Sequence, residues 1–298
     1  MKLGFVGVGN MGHPMAANLI KAGHEVRVTD LRREAADDLV EAGASWVDTP
    51  KAAAEGADAT FMSLPKPPDV EGVVLGAGGV LAGSAKGSTI IDLSTNSPRV
   101  VRELCAKAAE QGVGFLDAPV SGGVRGARDA TLAVMVGGEA ELYEKFKPVL
   151  DNIGANVFHT GPIGNGNVAK LINNQLAFIS MMGLTEALVL GAKAGLDPVL
   201  MRDIIRAGSG SSFVWDGGAR AILRDRLAPS FTTTLASKDI GLAQELAAEM
   251  GVPVPMGKVA HDLILGYRDN GYADEDVLAT VKSVEEQAGF QVRGLWHD

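Results

Sequence analysis

The chain has 298 residues, enough for two domains with separate cores, and its 46% hydrophobic and 21% charged content is ordinary for a globular protein in water. A formal net charge of −9 repels polyanions, so neither a nucleic-acid nor a membrane partner is expected. Cys105 is the only cysteine, which rules out an intrachain disulfide; it lies in a helix-like run and reads as a packing residue.

The amino terminus enters a strand-like run with no basic segment and no long apolar core, so no signal peptide is expected and the reading is a cytoplasmic protein. Residues 2–8, 25–30, 59–64, 88–94 and 114–119 are short apolar, β-branched runs, with helix-like segments at 11–22, 32–42 and 98–111 between them. Strands alternating with helices predict parallel pairing in a doubly wound sheet. A strand over 131–138, a helix over 139–150 and a strand over 156–161 follow. From about residue 164 the strand-like runs stop, and helical periodicity dominates to about 288. The stretch 167–194 reads as one long helix, apolar nearly all round. Asn173, Asn174, Gln175, Glu186 and Lys193 argue for a buried helix rather than a membrane span. Such a helix needs cover on every face, which it would gain by linking two domains and packing against another subunit. Gly195 stops it, and Asp197-Pro198 opens the next helix.

Gly7-Val8-Gly9-Asn10-Met11-Gly12 matches G-x-G-x-x-G. Its glycines permit a tight turn, close approach of backbone to a pyrophosphate, and close helix–strand packing. The helix that follows aims its free N–H groups and positive dipole end at the phosphates. Asp30 ends the next strand, 18 residues beyond Gly12, where a carboxylate accepts the ribose hydroxyls of NAD and repels a 2′-phosphate. Arg32 and Arg33 follow at once and leave NADP open. The expected fold is therefore α/β: an N-terminal Rossmann domain with a doubly wound sheet over 1–163, then an all-α domain over 164–298, joined by the long interdomain helix. No metal site is expected.

Lys170, in GNGNVAKLINNQ, shares a helix face with Asn173 and Asn174 at i+3 and i+4. Buried amides and amines need partners, and a buried amine gives up its proton more readily than a solvated one. On the residues alone two readings stay open: a boundary lysine with a solvated tip, or a proton donor and acceptor for an alcohol–carbonyl pair.

The stretches GFVGVGNMGHPMAANLIKAGH, DLSTNSP, DAPVSGGVRGARDATLAVMVGG, GNGNVAKLINN and SKDIGLA occur in the order seen in the β-hydroxyacid dehydrogenases. The chain resembles that family over roughly residues 2 to 290. The resemblance implies that Lys170 is the catalytic acid/base and that Asn174 bonds the substrate hydroxyl or steadies the lysine. It implies that Ser121, Gly122 and Gly123 present a hydroxyl and backbone N–H groups to the substrate carboxylate. Leu64 and Pro65 would fall in an adenosine-side loop with Asp69 beyond, Thr95 would approach the nicotinamide ribose, and Lys238 would reach the cofactor, with Asp239 structural. Gly164 and Gly166 belong to the lysine motif.

One departure is Asp129-Ala130, where relatives commonly carry a small residue and glycine. Arg125 and Arg128 stand in the same loop; turned inward, either would favour a substrate with a second anionic group. The implied activity is hydride transfer between NAD and a short β-hydroxyacid, an alcohol–semialdehyde interconversion, in a homodimer or homotetramer. The alternatives are an NADP-dependent semialdehyde reductase of tartronate or succinic semialdehyde type, an imine reductase, or a non-catalytic dinucleotide-binding protein.

Overall fold

The structure is a computed structural model that describes residues 1–296. The described residues divide into two units, one ending at Leu171 and the other starting at Ile172.

In the first unit, β1 (Lys2–Val6), β2 (Glu25–Thr29), β3 (Ser45–Trp46), β4 (Ala59–Met62), β5 (Thr89–Asp92) and β6 (Gly114–Asp117) pair in parallel. Their order is β3-β2-β1-β4-β5-β6, so the chain reverses direction across the sheet between β1 and β4. That reversal opens a crevice at the carboxyl ends of these two strands, where the glycine loop begins. The helices of this unit are α1 (Gly12–Lys21), α2 (Asp37–Glu41), α3 (Pro50–Ala54), α4 (Pro67–Leu75), α5 (Val80–Gly83), α6 (Pro98–Glu110), α7 (Gly123–Arg128) and α8 (Ala140–Leu150). Leu3, Phe5, Val26 and Val28 feed one buried cluster, while Val6, Met62, Ile90 and Phe115 feed another. Two covered faces explain why these strands read as continuous apolar runs instead of alternating ones.

The strands that alternate with helices pair in parallel as expected, and the strands that follow make the sheet mixed. β7 (Val120–Ser121) runs antiparallel to β8 (Ala133–Gly137), and β8 runs antiparallel to β6. β9 (Asn156–Gly161) then pairs with β8 in parallel. The cause is the short connection after β6, which has no helix long enough to make a crossover. The strands also end one or two residues earlier than the apolar runs, because Gly7, Asp30 and Ser94 already belong to the loops that carry chemistry.

The long helix α9 runs Asn165–Lys193; its start belongs to the first unit and the rest to the second. Among the described residues it is the one helix long and apolar enough to cross a membrane by length and composition. Within the second unit it serves two cores, with Leu184 and Leu188 in one and Phe178 and Met182 in the other. α10 (Pro198–Ala207), α11 (Phe213–Leu223), α12 (Thr233–Met250), α13 (Pro255–Tyr267) and α14 (Val281–Ala288) complete this unit. Three of these helices start on side-chain caps, in which Asp197, Ser212 and Thr232 accept from Leu200, Trp215 and Leu235 N–H.

After α14 the chain folds back onto the second unit. Glu285, buried, accepts from the N–H groups of Val292 and Arg293 and from Arg293 Nε. The Trp296 N–H bonds to Leu223 O, and its ring lies 5.4 Å from the Arg202 guanidinium and 4.8 Å from that of Arg224. This segment of the terminal GLWHD is docked; His297 and Asp298 lie outside the described residues.

Candidate active site

The glycine loop is shaped by what its glycines leave out. A Cβ on Gly12 would run into Gly7 O, and one on Gly7 would come within 2.5 Å of Ser63 O, so both glycines let the loop, α1 and the end of β4 pack together. Gly9 differs: a Cβ there would meet nothing within 4 Å. Protein packing does not require that glycine, but a ligand lying on the backbone would. α1 starts at Gly12, later than the sequence reading, with no acidic side chain in its first turn to neutralise the positive end of the helix. Val8 is buried, Met11 half-buried and Asn10 exposed.

Asp30 is held against this loop. Its Oδ2 accepts from Val8 N at 2.9 Å and its Oδ1 from Arg32 N at 3.0 Å. Both oxygens keep free lone pairs at the end of β2, which suits a ribose diol. Arg33 is already engaged, 4.8 Å over the Trp46 ring and 2.7 Å from Asp37. The loops after β4 and β5 are joined by a 2.9 Å bond from Leu64 N to Ser94 Oγ, with half-buried Thr95 next along the chain. Pro65 and Asp69 are exposed, Asp69 in the first turn of α4. A loop open at Gly9, an unneutralised helix start and a fixed carboxylate at Asp30 together fit a nicotinamide dinucleotide.

Ser121 ends β7, paired across to Ala133 on β8. Gly122 and Gly123 follow with φ of 134° and 65°, two successive conformations that side chains resist, and both are exposed. Consecutive backbone N–H groups in such a turn can face an anion. Arg125 and Arg128 on α7 are exposed, and the Arg125 side chain stands 93% accessible, 3.5 Å from Asp129. Neither arginine turns inward. Ala130 takes φ 54°, so the departure from glycine at this position places a methyl group in left-handed backbone.

Lys170 is 8% exposed, on the second turn of α9. The start of that helix is held by a buried carboxylate at the end of β6. Asp117 Oδ1 accepts from Gly164 N at 2.8 Å, and its Oδ2 accepts from Asn167 N at 2.7 Å and Asn167 Nδ2 at 3.1 Å. Gly166 allows the approach, since a Cβ there would reach 2.6 Å from Asp117 O. Asn167 Oδ1 in turn accepts from Asn96 N at 2.7 Å. Asn96 Nδ2 donates to Asp92 Oδ2 at 3.3 Å, and Ser94 N to Asp92 Oδ1 at 3.0 Å. Burial raises Asp92 to about 6 and pushes Asp117 up as well. Sequence reading passed over Asp92, Asn96, Asp117 and Asn167. The signal was there: II-Asp and FL-Asp each place an acid at the end of a buried strand.

In the second unit, buried Asn174 donates through Nδ2 to Asp239 Oδ2 at 2.7 Å and accepts from Asn173 Nδ2 at 3.1 Å. Asp239 also pairs with Lys238, whose Nζ lies 2.7 Å from Oδ1. One buried acid therefore orients two of the side chains picked out in the sequence.

Residues 2–161 match the family described as the NAD-binding domain of 6-phosphogluconate dehydrogenase, and residues 164–284 match that described as the NAD-binding part of NADP-dependent 3-hydroxyisobutyrate dehydrogenase. The 3-hydroxyisobutyrate dehydrogenase of Pseudomonas aeruginosa is 43% identical over 268 residues, covering 88% of this chain and 90% of its own. The chain belongs to the β-hydroxyacid dehydrogenase family. It is also similar to the 2-(hydroxymethyl)glutarate dehydrogenase of Eubacterium barkeri, with 40% identity over 295 residues, 99% of this chain and 98% of the relative. The solved 3-hydroxyisobutyrate dehydrogenase of Mycobacterium tuberculosis with L-serine superposes with a TM-score of 0.86 at 34% identity, covering 95% of this chain and 98% of that one. This β-hydroxyacid dehydrogenase is an NAD(P)-dependent oxidoreductase of hydroxyacids.

Proposed function

We propose that the enzyme interconverts the primary alcohol of a short β-hydroxyacid and its semialdehyde, with NAD as the preferred cofactor and Lys170 as the proton shuttle. The observation that carries the reading is a nearly buried amine on α9, a helix whose start is bonded to the sheet. The glycine loop and Asp30 would hold the dinucleotide, whose nicotinamide would supply the hydride chemistry in either direction. Lys170 takes the hydroxyl proton as the C=O bond forms and gives it back during reduction. Ser121, Gly122 and Gly123 anchor the substrate carboxylate and so fix the carbinol carbon in place. Asn174 is assigned to the substrate hydroxyl or the lysine, Thr95 to the nicotinamide ribose, and Lys238 to the cofactor. Gly7 to Gly12 take the pyrophosphate and Asp30 the adenosine ribose, with Leu64, Pro65 and Asp69 on the adenosine side. In this reading residues 1–163 are the nucleotide-binding domain and 164–298 the substrate and oligomerisation domain.

NAD is favoured over NADP because a carboxylate, Asp30, is bonded to the glycine loop at Val8 N and Arg33 is committed to Trp46 and Asp37. A homodimer or homotetramer is supported by exposed apolar side chains on α9 and α13, namely Ile172, Leu176, Leu190, Met256, Val259 and Leu263. A cytoplasmic location agrees with the single free cysteine. The relatives act on 3-hydroxyisobutyrate and 2-(hydroxymethyl)glutarate, by their names, which makes these two acids the first substrates to try.

The test is a panel of those acids, with glycerate and L-serine, assayed by nicotinamide absorbance with NAD and NADP, on the native enzyme and Lys170→Ala. The variant is expected to lose about 10²–10⁴-fold in kcat while still binding NADH. Full turnover by the variant would remove the lysine from the mechanism, and turnover of none of the acids would remove the substrate class.

A further inference from the structure

We propose that Asp117 and Asn167 are positioning residues that set where the Lys170 amine stands relative to the loop carrying Thr95. The inference rests on the proton-transfer role proposed above for Lys170.

A lysine side chain is long and flexible, so the reach of its tip depends on where its backbone is held. Lys170 lies three residues after Asn167, less than one turn of α9. At that helix start a single buried carboxylate, Asp117, collects three bonds, from Gly164 N, Asn167 N and Asn167 Nδ2. Contacts from two backbone N–H groups and one side chain, at Gly164 just before the helix and at Asn167 in its first turn, fix both the height and the rotation of the helix. The same Asn167 side chain uses its oxygen to accept from Asn96 N, the residue after Thr95. One amide thus ties the lysine helix to β6 on one side and to the loop after β5 on the other.

A plain structural cap would not need this arrangement. A serine or threonine hydroxyl would satisfy a helix N-terminus without burying a charge. Burial pushes the Asp117 carboxyl above its ordinary range, so keeping it ionised there costs stability. Asp92, also buried, then accepts from Asn96 and Ser94 and steadies the loop end of the same chain of bonds. A device that sacrifices stability to register a helix against a cofactor loop is understandable where an error of about 1 Å can cost about 100-fold in rate.

The experiment uses the full-length enzyme and Asn167→Ala. That variant removes both side-chain bonds but keeps the Asn167 backbone bond to Asp117, so the helix start stays capped. Its kcat should fall about 10–100-fold, while KM and NADH binding stay near native because ground-state contacts are untouched. With substrate deuterated at the carbinol carbon, the isotope effect on kcat should rise, since a misplaced amine makes the chemical step slower relative to product release. Asn167→Asp keeps the acceptor for Asn96 but sets a second carboxylate against Asp117, and should lose more. Near-native kcat in Asn167→Ala, or a loss of kcat without any rise in isotope effect, overturns the proposal. So does a variant that no longer binds NADH, which would show a purely structural role. Lys170→Ala assayed alongside separates the two readings. An inactive lysine variant beside a fully active Asn167→Ala defeats the positioning role alone, and an active lysine variant defeats the proton role beneath it.

Discussion

Asp92 and Asp117 are register partners on the adjacent parallel strands β5 and β6, and both are buried. Like charges held side by side in a low-dielectric interior each make the other harder to ionise. Burial is the main reason that Asp92 rises from 3.8 to about 6, with Asp117 adding to it. The native state therefore holds this proton more tightly than the unfolded chain does. The stability contributed is fully present below pH 3.8 and is lost as pH rises to about 6. The difference between 3.8 and about 6 corresponds to about 3 kcal/mol. Asp92→Asn removes that titration, so its stability relative to the native enzyme should climb by about this amount between about pH 3 and pH 7. Urea unfolding across this range measures it, and two parallel stability curves would contradict the assignment.

The glycine loop makes a contrast between two similar substitutions. Gly9→Ala adds a methyl group to open space, so unfolding should change by less than about 0.5 kcal/mol. The same methyl would stand where a pyrophosphate must approach the backbone, and NADH affinity should drop at least about tenfold, or about 1.4 kcal/mol. Gly12→Ala forces a methyl into Gly7 O and should destabilise the fold itself. Fluorescence titration with NADH and chemical denaturation of both variants distinguish the two; unaltered binding by Gly9→Ala would mean that the phosphates lie elsewhere.

Cofactor choice should respond to Asp30. Asp30→Asn keeps an acceptor for one of the two backbone N–H groups but removes the charge that repels a 2′-phosphate and receives the ribose hydroxyls. Bonds to a charged group contribute about 1.5–3 kcal/mol, so kcat/KM with NAD should fall about 10–100-fold, with the NAD-to-NADP ratio falling too. A preserved ratio would move discrimination away from this carboxylate.

Ala130 is a site where the family pattern would improve the fold. At φ 54° an alanine carries a steric cost that glycine avoids. Ala130→Gly should stabilise the protein by about 1 kcal/mol despite the added freedom of the unfolded chain. A lower midpoint in urea would show instead that the methyl group packs usefully.

The parts of this molecule that could be read from sequence are those set by local pattern. The β1–glycine loop–α1 unit, Asp30 and the long helix follow from apolar runs, glycine spacing and helical period, and each lies within a few residues of its expected position. β3 and β7 escaped notice because two residues are too few to show a strand period. Ser121 was picked out for its glycines, and nothing local revealed that it ends an antiparallel strand. The buried polar chain through Asp92, Asn96, Asp117 and Asn167 escaped for a different reason. Its partners are up to 71 residues apart, and a strand-final acid looks alike whether solvent or a helix start satisfies it. Asp239 was likewise read only as structural, while its hold on both Asn174 and Lys238 becomes visible once α9 and α12 are side by side.

The tryptophans give the molecule three built-in optical reporters. Trp46, half-buried with its indole N–H on Asp48, sits at the end of β3 beside β2, the strand that Asp30 follows. Trp215 is enclosed in the helical unit with its indole N–H on Arg202 O, and Trp296 on the docked tail lies close to two guanidinium groups. Single Trp→Phe replacements would therefore assign each emission band, so that nucleotide docking, melting of the helical core and release of the tail could be followed separately in one cuvette.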